Sequence, residues 1–291
     1  SLYDIHNDWT TVMKNKVFIL LICLVLFDCV YFMPKLQFVR DHAARLFSKK
    51  VVTPIKAKKP VVAPDTKIGV ITLSGEIKTS DTWVPLISKA MKDDTIKGVI
   101  AKVESPGGVP GAGEAIYIAL KELRAKKPVV VLVENMCCSA GYLIACGGDM
   151  IISTRMADIG SIGVVAMLNH VKKPKTATNE ELSVEFLTAG KHKIVGNAYA
   201  PSLAPEQRDH FMKRINQAYN ILCRIVSEER GLCLNSIDEW GDAQVFGGEE
   251  AVKRGLVDKN GSIAQAEQSI MELLDKRKID HTKELALVNF A

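Results

Sequence analysis

The run VVVLVENMCCSAGYLIAC, residues 129–146, decides how the rest of this 291-residue chain is read. Val129 to Val133 is short, apolar and without polar alternation, the pattern of a strand in a sheet buried on both faces. A short loop follows, and Ser139 to Cys146 reads as a helix, so the Ser139 hydroxyl stands at a strand-to-helix junction. Backbone N–H groups at a helix start have no partner inside the helix. A hydroxyl beside such free amides is what acyl transfer needs to hold a developing oxyanion. The bland reading of the same residue is an N-cap.

The alternation continues on both sides. Lys67 to Leu73 reads as strand, Val84 to Met91 as helix, Gly98 to Val103 as strand, Gly113 to Arg124 as helix and Met150 to Ser153 as strand. Short apolar runs separated by amphipathic helices predict an α/β domain with a parallel sheet. Pro205 to Arg230 is the longest helix, with Pro205 and Glu206 in its first turn and Gly231 at its end. Phe246 to Asp258 reads as a turn and a short helix capped by Gly255. The charged residues beyond Leu274 are expected to be loosely held.

Three further segments accompany Ser139. Glu104-Ser105-Pro106-Gly107-Gly108 is a turn whose glycines can aim bare amides at a carbonyl oxygen; Gly160-Ser161-Ile162-Gly163 and Ala189-Gly190-Lys191-His192-Lys193 follow downstream. In this order the four segments resemble the signal peptide peptidase A family of membrane-bound serine peptidases, in particular its short SohB-type form, over roughly Lys67 to Val257.

The resemblance implies a Clp-protease/crotonase-like fold of stacked ββα repeats with an N-terminal transmembrane helix. It implies Ser139 as nucleophile, Lys193 as general base and Ser161 as the hydroxyl that holds the lysine amine, with an oxyanion hole at Gly108 and Ala140 and Gly107 in the same turn. The implied reaction is cleavage of signal peptides or membrane-associated polypeptides in a homo-oligomeric ring, where lysine and serine can come from different subunits. A lysine removes a serine proton only as the neutral amine, and burial with nearby positive charge is what lowers a lysine from about 10.4.

One residue departs from the family pattern: Ala140 stands where a glycine is usual, and its Cβ narrows the conformations open to the loop. Other readings of the same residues stay open. Lys191 is the alternative base, because the choice of Lys193 rests on matching Gly-x-His-Lys. His192 or His170 would give a Ser-His-Asp arrangement, and Cys138 is an alternative nucleophile. A crotonase-like acyl-CoA enzyme and a catalytically silent peptide-binding scaffold are the alternatives at the level of the whole domain.

Hydrophobic residues make up 47% of the chain and charged residues 24%, which excludes disorder throughout. The net charge is +5, and Lys35 to Lys59 holds eight basic residues against Asp41 alone. A basic run beside an apolar segment points to anionic lipid headgroups, and nucleic acid is the weaker reading because no aromatic residue is interleaved after Phe47. Seven cysteines, an odd number without zinc-ligand spacing, form neither a disulfide framework nor a metal site, and no cofactor is called for.

Val17 to Met33, 17 residues with only Asp28 charged, is just long enough to cross about 30 Å of hydrocarbon and reads as a single-pass anchor. A cleaved signal peptide and an interfacial helix are its rivals. The expected organisation is a tail over 1–16, the anchor at 17–33, a basic linker over 34–66, a peptidase domain over 67–260 and a C-terminal helix and tail over 261–291. The basic flank after the anchor would keep the domain in the cytoplasm by the positive-inside rule, whereas the resemblance implies the extracytoplasmic face.

Overall fold

The computed structural model describes residues 66–171, 176–190, 192–281 and 285–290. The chain divides into the units Ser1–Val61 and Val62–Ala291, and the description concerns the second. The expected anchor at 17–33 and nearly all of the basic linker lie outside the described residues. Among the described residues no helix is long and apolar enough to cross a membrane.

The elements run β1 (Lys67–Ser74), α1 (Trp83–Lys92), β2 (Ile96–Glu104), α2 (Pro110–Lys126), β3 (Val129–Val133), β4 (Met136–Cys138), α3 (Ala140–Ala145), β5 (Met150–Ser153) and β6 (Asp158–Gly160). They continue with α4 (Pro205–Arg230), a 3-10 turn (Leu234–Glu239), β7 (Val245–Gly247), α5 (Gly248–Lys253), β8 (Lys259–Asn260), α6 (Ile263–Arg277) and β9 (Ala286–Phe290). Six strands form one sheet in the order β8-β5-β3-β2-β1-β9, every neighbouring pair parallel. All five residues of β3 are fully buried, as its unbroken apolar run requires.

One face of the sheet packs on α1, α2, α3 and the end of α4; the other is covered by Ala266, Ile270 and Leu274 of α6. Gly98 permits that second contact, since a Cβ there would lie 2.5 Å from Ile270. Beyond the C-terminal ends of the main strands lies a second small sheet, β4-β6-β7, parallel between β4 and β6 and antiparallel between β6 and β7. Single bridges, Ser105 to Cys137 and Ile77 to Gly108, extend this layer across the ends of β1 and β2. The turn before α2 and the loop before α3 therefore meet at the carboxyl ends of a parallel sheet, where α/β folds place their ligands.

The C-terminal residues correct one expectation. The described residues past Leu274 are held in place: α6 runs to Arg277, and β9 pairs with β1 from Lys67 to Ile71 with Phe290 buried at its end. The pairing of the edge strand β9 along β1 and the burial of Phe290 outweigh the charged residues that precede them.

Candidate active site

Ser139 has φ 53 and ψ −124, a conformation that non-glycine residues avoid and that costs on the order of 1–3 kcal/mol. Two bonds hold it there: its N–H donates to Gly160 O at 2.8 Å, and its carbonyl accepts from Leu143 N–H at 3.0 Å. The hydroxyl makes no capping bond to α3, so the N-cap reading fails.

Around Ser139 the backbone offers two donors. Neither the Gly108 N–H nor the Ala140 N–H has an acceptor among the described residues, although both neighbours of Gly108 are engaged: Ile77 N–H donates to Gly107 O and Val109 N–H to Ile77 O. Gly108 is forced to be glycine, because at φ 154 a Cβ would stand 2.1 Å from Ile77 O. Gly107 does not share the donor role expected of it. Its N–H is taken by Ser105 Oγ at 3.1 Å, and its part is close approach, since a Cβ there would lie 2.7 Å from Ser139 Cβ. Ala140, the departure from the family pattern, is accommodated by Gly113, where a Cβ would come within 2.9 Å of the Ala140 Cβ.

A cavity of about 160 Å³ opens beside Ser139. Gly108, Pro110, Gly111 and Glu114 form one wall, Ala140 and Leu143 the floor, Gly163 to Val165 a second wall, and Ala218, Ile221, Leu222 and Ile225 of α4 the roof.

Two residues of the Glu104–Gly108 segment that sequence reasoning left without a role stitch the loops together. The Glu104 carboxylate accepts from the N–H groups of Glu134 at 2.7 Å, Asn135 at 3.1 Å and Met136 at 3.3 Å, and from the Asn135 amide at 3.1 Å. Ser105, almost fully buried, donates from Oγ to Gly75 O at 2.7 Å, and its backbone bonds Met136 O and Cys138 N–H. Their only sequence signal was a carboxylate and a hydroxyl ending an otherwise apolar strand.

The remaining candidates sit differently. Ser161 follows Gly160, the acceptor of the Ser139 N–H, and has φ 48 with its own N–H donating to Gln244 O at 2.7 Å. Lys193 is exposed, and among the described residues its ammonium makes no ion pair and no hydrogen bond, including to Ser139. Its neighbour His192 stacks on His210 of α4 with ring centroids 4.9 Å apart. His210 precedes Ala218 by about 12 Å of helix. His192 is thus engaged away from the cavity, against a Ser-His-Asp arrangement, and His170 is exposed. Lys191 lies outside the described residues. Cys138 aims its thiol at Asp158 O, 3.6 Å away, and burial above all pushes that thiol up to about 11, which removes it as a nucleophile at neutral pH.

Comparison with known proteins identifies a family for the chain. The family description "Peptidase family S49" matches residues 121–277, and "Clp protease" matches residues 65–159. A Methanocaldococcus jannaschii protein named as a protease is 33% identical over 67% of this chain and 62% of its own length. Protease 4 of Haemophilus influenzae is 30% identical over 73% of this chain and 35% of its own length. An Enterococcus faecium protein named as a signal peptide peptidase SppA is 30% identical over 72% and 60%. The chain thus spans between about a third and somewhat under two thirds of these relatives. The S49 match covers more than half of the sequence and runs through the Ser139 loop and the whole of α4, and the chain belongs to peptidase family S49.

Proposed function

We propose that this chain is a membrane-anchored serine endopeptidase that cleaves signal peptides or membrane-associated polypeptides with a Ser139/Lys193 dyad. The observation that carries the reading is Ser139 itself, an uncapped hydroxyl held at φ 53 between two free amides at the mouth of an apolar cavity. Strain of this kind persists where surrounding structure over-determines it for a task.

In the proposed reaction Ser139 Oγ attacks the substrate carbonyl carbon while its proton passes to the neutral lysine amine. The carbonyl oxygen, now an oxyanion, is held by the Gly108 and Ala140 N–H groups, each such donor contributing about 3 kcal/mol. The lysine then protonates the leaving amine, the peptide C–N bond breaks, and an acyl ester forms on Ser139. Water, deprotonated by the same lysine, attacks the ester and restores the free serine. Ser161 would orient the amine. An acyl-CoA reading would use the two amides but gives Ser139 no task.

An exposed lysine is a poor base, so the dyad requires Lys193 to be packed against another copy. Val165, Met167 and Leu187, in the segment that carries Lys193, are 89%, 81% and 90% exposed, and this apolar surface supports a homo-oligomeric ring in which one copy's lysine meets its neighbour's serine. Anchoring by residues 17–33 and lipid contact through the basic linker rest on the sequence alone.

The test is digestion of casein by the full chain in detergent beside Ser139→Ala, Lys193→Ala and Lys191→Ala. Cleavage by the parent and by Lys191→Ala alone is the expected pattern. Cleavage surviving Ser139→Ala would refute the nucleophile, and loss in Lys191→Ala with retention in Lys193→Ala would move the base.

A further inference from the structure

We propose that the cavity beside Ser139 selects a peptide residue with a long apolar stem and a cationic head, lysine above all, on the acyl side of the scissile bond. The Glu114 carboxylate would pair with its ammonium. The proposal rests on the serine peptidase reading and specifies which side chain that site prefers.

The cavity divides sharply in character. Pro110, Leu143, Val164, Val165, Ala218, Ile221, Leu222 and Ile225 give it apolar walls, and Gly108, Gly111 and Gly163 contribute backbone without side chains. Among its lining residues Glu114 alone is charged. It stands one turn into α2, is exposed, and has no ion pair or hydrogen bond among the described residues. The cations nearest to it along α2 are committed elsewhere: Lys121 and Arg124 both pair with Glu229 of α4. Lys213 and Arg224 of α4 lie with Asn216, Gln217 and Asn220 along an adjoining strip of that helix that meets the cavity at Ile221, and neither lines the cavity itself.

An occupant must therefore satisfy an apolar wall and an unpaired negative charge together. A lysine does both, burying its methylenes against Leu143, Ile221 and Leu222 while its ammonium reaches the carboxylate in water. Norleucine has the same stem and no ammonium, so it fills the walls and leaves Glu114 unanswered. A glutamate is repelled.

The experiment compares kcat/KM of the full chain for three otherwise identical fluorogenic peptides carrying lysine, norleucine or glutamate at that position. The expected lysine-to-norleucine ratio is about three to ten in low salt. It shrinks in 0.5 M NaCl, where screening weakens the pair. In Glu114→Gln the ratio falls to about one, and in Glu114→Lys the glutamate peptide overtakes the lysine peptide. A parent ratio at or below one, or a ratio unmoved by Glu114→Gln, overturns the proposal while leaving the peptidase reading intact. Failure to cleave any of the three in a Ser139-dependent way overturns both.

Discussion

Two stretches of this chain carry the residues of the proposed reaction and are built in opposite ways. Residues 67–160 form a closed body in which the Gly107-Gly108 turn, the Ser139 loop and the free amides are fixed by buried strands and by bonds from Glu104 and Ser105. Residues 161–204, which carry Ser161 and Lys193, contain no helix or strand among their described residues and are mostly exposed. The difference teaches that a single chain fixes the half of the proposed chemistry that needs close placement, the nucleophile and the oxyanion site. On the proposed dyad, the proton-transfer half is left to packing against a second copy.

The first way to break the comparison is at its fixed half. Ser139→Ala should lower kcat by about 10⁴-fold or more. Ser139→Gly should do the same while raising the melting temperature, because glycine accepts φ 53 and ψ −124 without strain. Calorimetry on both variants separates the chemical loss from the structural gain, and a lower melting temperature for the glycine variant would contradict the strain assignment.

Gly108→Ala comes next. Its Cβ would overlap Ile77 O and rotate the free N–H away, for a loss of about 10²- to 10³-fold in kcat, read by steady-state kinetics. Smaller still is the coupling of Gly113 and Ala140. Gly113→Ala should cost about 1–3 kcal/mol by overpacking, and Ala140→Gly in the same chain should restore most of it, measured as a double-mutant cycle in urea. Additive losses would show that Gly113 is not what admits the alanine.

The mildest effect concerns the ties between α2 and α4. Burial would raise the Glu229 carboxyl, but bonds from Lys121, Tyr117 and Arg124 outweigh it and hold the group below its ordinary value. A carboxyl depressed by folding stabilises above its unfolded pKa, about 4.5, and that contribution is lost as pH falls through the folded value. The stability of Glu229→Gln should therefore fall less than the parent's as pH is lowered through that range, by urea midpoints at successive pH values.

Much of the body is legible in the sequence because its signals are local. Val129–Val133 and Met150–Ser153 announce themselves by continuous apolarity, and Pro205 and Gly231 bracket α4. The strands β4, β6 and β7, three residues each, carry no period to read and exist because the chain ends of the large sheet stack on one another. The site divides the same way. Ser139 and the Pro106-Gly107-Gly108 turn are marked by a strand-to-helix junction and by glycine chemistry, and the family resemblance picks Ser139, Gly108 and Ala140 for their roles, whereas the ties of Glu104 and Ser105, Gly113 and the α4 roof are found only when segments distant in sequence are brought together.

The division between a finished serine half and an unfinished lysine half is tested most directly by co-expressing Ser139→Ala and Lys193→Ala, each inactive alone. If one copy's lysine serves its neighbour's serine, mixed assemblies should recover about a quarter of the parent's activity, the fraction of intact serine–lysine neighbours at random mixing. Mixed assemblies that form but stay inactive would contradict it.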